Sequence, residues 1–334
     1  MLESVNSVTM KTADHWQETD HLMALRGAVY VNGIIKPATE AVVPVYDHGF
    51  LYGEGVYETL RTYNRVPFLY DRHMGRLRAS AGRIYLDVPF SDGDLARWID
   101  DTVVAAQAAG AAGEMKEAYI RILFTRGVGE LNYDPKSTPD PTTVIIVKPL
   151  EEPPARVFEQ GIKICLVDIL RNHPHSVNPL IKANNLLNNA LAMQEAYRRG
   201  GEEGLMCNYR GELSECSQAN FFMVRGGVVL TPKSEAGLLE GITRAFLFEV
   251  GKDIGVDVQE ATLYPKDLET ADEAFITSTT RELSPVTRID DRPVGTGAVG
   301  EITKRMLDGY RKRAQEMTSA TISNSQLPTP KALG

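Results

Sequence analysis

Two adjacent prolines, Pro153 and Pro154 in the stretch EEPPARVF, constrain this chain more than any other feature. Proline fixes φ and lacks a backbone N–H, so the pair stiffens a connector and stops a helix from running through it. They fall near the middle of 334 residues, a length that allows one large domain or two moderate ones of roughly 100–200 residues. On both sides, strand-rich hairpins alternate with amphipathic helical stretches. The expected organisation is an N-terminal arm (1–24), a small α+β domain (25–150), an interdomain linker (151–158), a larger domain (159–315) and a disordered tail (316–334). The tail is assigned from TSATISNSQLPTPKALG, which is polar and proline-containing.

Local signals support this division. In GAVYVNGIIKP two apolar runs flank Asn32-Gly33, a strong hairpin turn, and VYETLRTYNRVPFLY repeats the pattern around Asn64-Arg65. In DRHMGRLRASAGRIY, Met74, Leu77, Ala81 and Ile84 recur at helical spacing. Ser91 opens a second helix, with acidic residues in its first turn. Beyond the prolines come the strand GIKICLVDIL, a loop through Asn178-Pro179 and a helix from NNLLNNALAM. Hairpin turns at Arg210-Gly211 and Gly226-Gly227 follow, then the helix GITRAFLFEVGKDIG. The strand AFITSTTRELSPV enters a tight turn, and VGEITKRMLDGYRKRAQEM closes the chain as an amphipathic helix.

Composition excludes several functions. A formal net charge of -8 offers no basic field for nucleic acid. No apolar run approaches the ~20 residues that span a bilayer, and the opening stretch has no signal-peptide core, so the expected location is cytoplasmic. Cys165, Cys207 and Cys216 form no CxxC pair, which argues against disulfides and zinc. His173 and His175 flank Pro174 with no acidic cluster nearby, so they read as a polar loop rather than a metal pair.

Three stretches carry chemistry. Lys182 follows the apolar Leu180-Ile181, where a strand end would deliver it inward, and a desolvated amine condenses readily with an aldehyde. Glu215 lies among small residues on a predicted strand; buried, it needs a cation or an N–H partner, such as a protonated pyridine ring. Gly241-Ile242-Thr243 opens a helix whose free N–H groups suit an anion, Thr279 and Thr280 add hydroxyls, and Arg76 adds positive charge.

In this order, YDHGFLYGEGVYETLR, HMGRL, YIRILFTRG, IKANNLL, LSECSQANFF, LEGITR, ADEAFITSTTRELSPV and VGEITKR resemble the fold-type IV enzymes of pyridoxal 5'-phosphate (PLP). That family comprises branched-chain aminotransferases, D-amino-acid transaminases and aminodeoxychorismate lyases, and the similarity runs from Tyr30 to Leu307. The resemblance implies a small N-terminal α/β domain, a larger C-terminal pseudo-barrel domain, PLP in the cleft between them, and a homodimer sharing its substrate pockets. It assigns Lys182 to the internal aldimine, Glu215 to the pyridine nitrogen, and Arg76, Ile242, Thr243 and Thr279 to the phosphate.

The same resemblance addresses the substrate. Tyr119 and Arg121 match residues that line the branched-chain pocket, Tyr52 and Tyr57 lie in a segment forming another wall, and TRGVGELNYDP matches a segment reaching across the dimer. The D-amino-acid enzymes show an Arg-x-His pair after TRG, absent here. This favours an L-branched-chain amino acid donor with a 2-oxo acid such as 2-oxoglutarate as acceptor. Thr59 stands where branched-chain enzymes have glycine, and Thr280-Arg281 replaces an apolar pair. Arg281 either binds a distal carboxylate or faces solvent, and the sequence leans to the second. Aminodeoxychorismate lyase, D-amino-acid or (R)-amine transamination, and non-catalytic PLP binding are the alternatives.

Overall fold

The Asn-Gly turn closes a hairpin between β1 (Ala28–Val31) and β2 (Ile34–Pro37), with Asn32 and Gly33 at φ 44° and 93°, as a two-residue I′ turn requires. The structure, a computed structural model, describes residues 25–109 and 115–324; the arm expected over 1–24 lies outside the described residues. After α1 (His48–Tyr52) come β3 (Gly55–Tyr63), β4 (Val66–Pro67), α2 (Tyr70–Arg83), α3 (Asp92–Ala109), β5 (Ala118–Thr125) and β6 (Thr142–Pro149). The strands form an antiparallel sheet in the order β2-β1-β6-β5-β3-β4.

Period-two alternation decides which face of β3 meets the helices. Val56, Glu58 and Leu60 are buried, whereas Tyr57 and Thr59 are only half-buried on the opposite face. Met74, Leu77 and Ala81 of α2 and Leu95 and Ile99 of α3 pack with Ile120, Ile122, Phe124 and Ile145. Each large apolar side chain removed from water there contributes about 1.5–3 kcal/mol. Ser91 caps the start of α3: its Oγ accepts from Asp94 N (3.1 Å), and Asp94 Oδ2 accepts from Ser91 N (3.2 Å).

The double proline acts differently from expectation. β6 ends at Pro149 and α4 (Ala155–Gln160) starts immediately after Pro154, so the double proline launches a short helix. The span 151–158 is therefore not a continuous linker. Proline suits the first turn of a helix, where a missing N–H leaves no bond unmade.

The second half holds β7 (Ile162–Leu166), α5 (Leu187–Arg198), β8 (Gly204–Cys207), β9 (Leu213–Cys216), β10 (Asn220–Arg225), β11 (Val228–Pro232) and α6 (Ile242–Ile254). β12 (Val258–Ala261), β13 (Glu273–Ser278), β14 (Glu282–Ile289), β15 (Arg292–Pro293) and α7 (Glu301–Asn324) complete it. The sheet order is β12-β11-β10-β13-β14-β7-β8-β9, with β15 beside β14. Leu213 N, in the strand at one end of that order, donates to Leu263 O just past the strand at the other end (2.7 Å). The sheet thus curls into the expected pseudo-barrel. Leu205, Phe221, Met223 and Ile276 belong to one core of this half. In another, Phe246, Leu247, Met306 and Tyr310 of the two long helices pack with Phe222 and Phe275, joined by Tyr63 and Phe68 from the first half.

The expected disordered tail is helical over 316–324, and its remainder, 325–334, lies outside the described residues. α7 continues through residues 316–324, which polar composition alone assigns to disorder. Asn64 Nδ2 donates to Gln315 Oε1 (3.1 Å) and Thr318 Oγ1 (3.0 Å), giving the later turns a tertiary partner that local composition hides.

Candidate active site

Where the curled sheet meets β3 and β5, a cavity of about 640 Å³ opens. Lys182 enters it from an extended segment rather than from the strand end expected. The segment pairs with β3 of the other half: Tyr57 N donates to Lys182 O (2.9 Å), Asn184 N donates to Gly55 O (2.9 Å), and Ala183 bridges Val56. Gly55 permits this approach, since a Cβ there would fall 2.6 Å from Asn184 Nδ2. The amine lies 4.2 Å from the centroid of the Tyr57 ring.

Glu215 sits on β9 with its carboxylate almost wholly buried. Its Oε1 accepts from Arg171 Nε (2.8 Å) and its Oε2 from Asn220 Nδ2 (3.1 Å). Burial raises its pKa, and the Arg171 charge offsets this only in part. One more positive or N–H partner would therefore stabilise the anion, which is what a protonated pyridine nitrogen supplies.

An anion cup lies at the N-terminus of α6. Its N-cap, Gly241, makes no side-chain cap bond, leaving first-turn N–H groups at Ile242 and Thr243 to face the cavity. A Cβ at Gly241 would fall 2.0 Å from Asn220 Oδ1, so the close passage depends on glycine. Arg76 Nη1 donates to Glu240 O (2.9 Å), holding its guanidinium beside this helix start. Thr279 lines the same cavity from the β13–β14 loop. A buried carboxylate whose pKa burial raises despite Arg171, an inward amine and a dianion cup on the walls of one cavity fit PLP.

Arg76 is itself held from behind. Its Nε and Nη2 donate to Glu58 Oε1 and Oε2 (2.7 and 2.9 Å), and His73 Nδ1 lies 2.7 Å from Glu58 Oε2. Full burial works to raise Glu58, but Arg76 and His73 outweigh it and hold the carboxyl well below the usual carboxylate range. Burial lowers the pKa of His73, opposed by Glu58.

The facing wall comes from strand alternation. Tyr57 and Thr59 on β3 and Tyr119 and Arg121 on β5 all line the cavity, with Thr59 and Arg121 cross-strand partners. Arg121 lies 4.1 Å from the Tyr57 ring centroid, and no carboxylate among the described residues pairs with it. Thr280 and Arg281 line the cavity too, but Arg281 does not simply face solvent. Its Nη1 lies 2.7 Å from Oε1 of the fully buried Glu203, and its Nη2 donates to Gln218 Oε1 (3.3 Å). Tyr52 is not among the lining residues. It packs with Tyr133, 5.0 Å between centroids, joining α1 to the 128–133 loop.

Sequence reasoning misses Arg171, Glu58, His73 and Glu203. A buried Glu215 demands a cation, but nothing local points to Arg171. Glu58 does carry a signal: it is a charged residue between two core positions of an alternating strand.

A curled sheet and a small sheet enclosing an inward lysine, a buried acid and an anion cup define a cofactor enzyme. The amino-transferase class IV family model matches residues 55–289, and the chain belongs to that family. It is 36% identical over 283 residues to a Methanocaldococcus jannaschii protein provisionally named branched-chain-amino-acid aminotransferase, covering 85% of this chain and 95% of that one. It is 33% identical over 300 residues to the D-alanine aminotransferase of Listeria monocytogenes (87% and 96%). It is 30% identical over 291 residues to the aminodeoxychorismate lyase of Bacillus subtilis (86% and 95%). The solved branched-chain amino acid aminotransferase of Thermobaculum terrenum, in its PLP form, superposes with a TM-score of 0.74 at 27% identity (87% and 94%). The cofactor is PLP.

Proposed function

We propose that this chain is a transaminase moving the amino group of an L-amino acid, branched-chain by preference, to a 2-oxo acid such as 2-oxoglutarate. The observation that carries this reading is the wall of Tyr57, Tyr119 and Arg121. Two aromatic rings suit an aliphatic side chain, and a cation with no carboxylate partner among the described residues suits the distal carboxylate of glutamate or 2-oxoglutarate, the two alternating occupants of one pocket. The first-named relative and the solved structure support it.

In this mechanism Lys182 holds the cofactor until the donor arrives, and its freed Nζ then removes the proton from the substrate Cα. The same Nζ would carry that proton, acting as base and then as acid. Bound PLP supplies an electron sink conjugated to the substrate Cα. Glu215, aligned by Arg171 and Asn220, keeps the ring nitrogen protonated. Ile242, Thr243, Thr279 and Arg76 anchor the phosphate, while Glu58 and His73 hold Arg76 in place. Thr59, Thr280 and Arg281 complete the substrate walls.

We further propose a homodimer. Phe50 (67% exposed) on α1 and Leu131 (64%) and Tyr133 (82%) on the 128–133 loop are large exposed side chains, and Tyr52 packs against Tyr133. A second copy would cover them and receive Tyr52 and the 128–133 loop at the mouth of its own cavity. Among the described residues no helix is long and apolar enough to cross a membrane.

The test is a visible absorption scan of the holoprotein before and after adding L-leucine, L-glutamate or D-alanine separately. Loss of the cofactor band with L-leucine and L-glutamate is expected. Response to D-alanine alone would replace the reading with D-amino-acid transamination. A band that no amino acid discharges, together with pyruvate release from aminodeoxychorismate, would replace it with the lyase.

A further inference from the structure

Glu282 holds a backbone that favours glycine. Its φ is +56°, in the left-handed region where an L side chain is strained. It stands opposite Ser278, so that Thr279, Thr280 and Arg281 form a three-residue hairpin loop. A residue other than glycine with positive φ is uncommon, and asparagine and aspartate are the usual exceptions. A charged residue held there points to a side chain whose contacts offset the strain.

Those contacts reach across the molecule. The buried carboxylate accepts from the Tyr63 hydroxyl at Oε1 (2.6 Å) and from Arg311 Nε at Oε2 (2.7 Å), with Arg61 Nη1 at 3.5 Å. Arg61, also buried, donates to both oxygens of Glu152 in the connector (3.1 and 2.5 Å). Burial, then the neighbouring Tyr310 and Glu282, push the Tyr63 phenol far above its usual range, so it stays protonated and donates. One carboxylate thus ties β3 and α7 to the head of β14, and through Arg61 reaches the connector.

The geometry links this knot to the cavity. Tyr57, Thr59, Arg61 and Tyr63 alternate along one face of β3. The first two line the cavity, and the last two grip Glu282. On the opposite wall Thr279, Thr280 and Arg281 line the cavity, and the next residue is Glu282. We propose that Glu282 is a positioning residue of the active site, whose carboxylate sets the separation between the β3 wall and the 279–281 loop. The inference rests on the cavity being the class IV active site and not on which amino acid enters it.

The test compares Glu282→Gly, Glu282→Gln and Tyr63→Phe holoproteins with wild type, using any donor and acceptor that wild type turns over. Melting temperature and the visible circular dichroism of the bound cofactor are measured beside KM and kcat. Glu282→Gly removes strain and carboxylate together. It is expected to remain folded, with reduced cofactor dichroism, a raised KM and kcat/KM for both substrates lowered about tenfold or more, because misplacing a site by ~1 Å costs up to ~100-fold. Its kcat should fall by a smaller factor. Glu282→Gln keeps an acceptor for Tyr63 but loses the charge, and its KM should fall between. Tyr63→Phe guards against a glycine variant that fails to fold; it should move KM in the same direction by a smaller factor. Folded variants with KM and dichroism like wild type, whatever their melting temperatures, would overturn the proposal and leave Glu282 a stability element. The dichroism reports on the cavity even if the wild-type donor proves not to be a branched-chain amino acid, so failure of the substrate reading remains distinguishable.

Discussion

Replacing Arg171 with leucine isolates the electrostatics of the ring-facing acid. Both members of the Arg171–Glu215 pair are under a tenth exposed, and no other cationic side chain among the described residues is bonded to Glu215. Removing one partner of a buried pair costs about 3–5 kcal/mol, because the other charge is left in a poor solvent. The carboxyl can escape by taking a proton. From an ordinary pKa near 4.3, neutralising it at pH 7 spans about 2.7 pH units, or roughly 3.7 kcal/mol. Proton uptake therefore caps the penalty near ~4 kcal/mol at pH 7, and the same reasoning leaves only ~1 kcal/mol at pH 5. The sign follows from a raised acid: the folded state holds a proton that the unfolded state has released, so stability is lost as pH rises above the unfolded value. Wild-type Glu215 is raised in the same direction by burial, with Arg171 opposing, so its own pH dependence has the same sign and is weaker. No second orphan complicates the variant, since Asn188 Oδ1 loses Arg171 Nη1 (3.1 Å) but still accepts from Asn172 N (3.3 Å). Urea unfolding of the apoprotein at pH 5, 6, 7 and 8, at one protein concentration, measures the difference directly. A penalty that is flat with pH, or larger at pH 5, would refute the account of Glu215 as a buried anion held by Arg171.

Two further outcomes are expected. Lys182→Ala should remain folded, yet lose steady transamination by more than about a thousandfold, since it removes both the cofactor's attachment and the proton carrier; sustained turnover by that variant would remove the mechanism. Arg121→Ala should raise KM for L-glutamate and 2-oxoglutarate by roughly 10- to 100-fold, the equivalent of one charged hydrogen bond, with L-leucine affected less and the cofactor spectrum unchanged. Release of PLP from that variant would show that Arg121 serves the cofactor instead.

What the sequence discloses and what it hides divide along the range of the interactions. The hairpin turns at Asn32-Gly33 and Gly226-Gly227 are local, set by backbone signs that a few residues determine, and both appear where expected. The face of α2 carrying Met74, Leu77 and Ala81 is equally local. Motif order likewise brings Lys182, Glu215, Arg76, Ile242, Thr243 and Thr279 to one cavity. The extended pairing that seats Lys182 is with β3, far away in sequence, so it leaves no periodic trace beside the lysine. The continuation of α7 is bonded to Asn64, also far away in sequence, and is invisible for the same reason.

The charged partners are hidden for a different reason: pattern reading sends isolated charges to solvent by default. Glu58, Glu203 and Glu282 each defeat that default, lying wholly or nearly buried and each paired with an arginine. A carboxylate at a core position cannot stay charged alone, because desolvation costs more than folding can spare. Such a residue is therefore a statement about two places in the chain, one readable and one not. Arg281 shows the consequence. Taken by itself it could face water or bind substrate, but Glu203 behind it fixes its guanidinium against the cavity wall. The orientation of the arginine is written in the acid, and only the fold brings the two together.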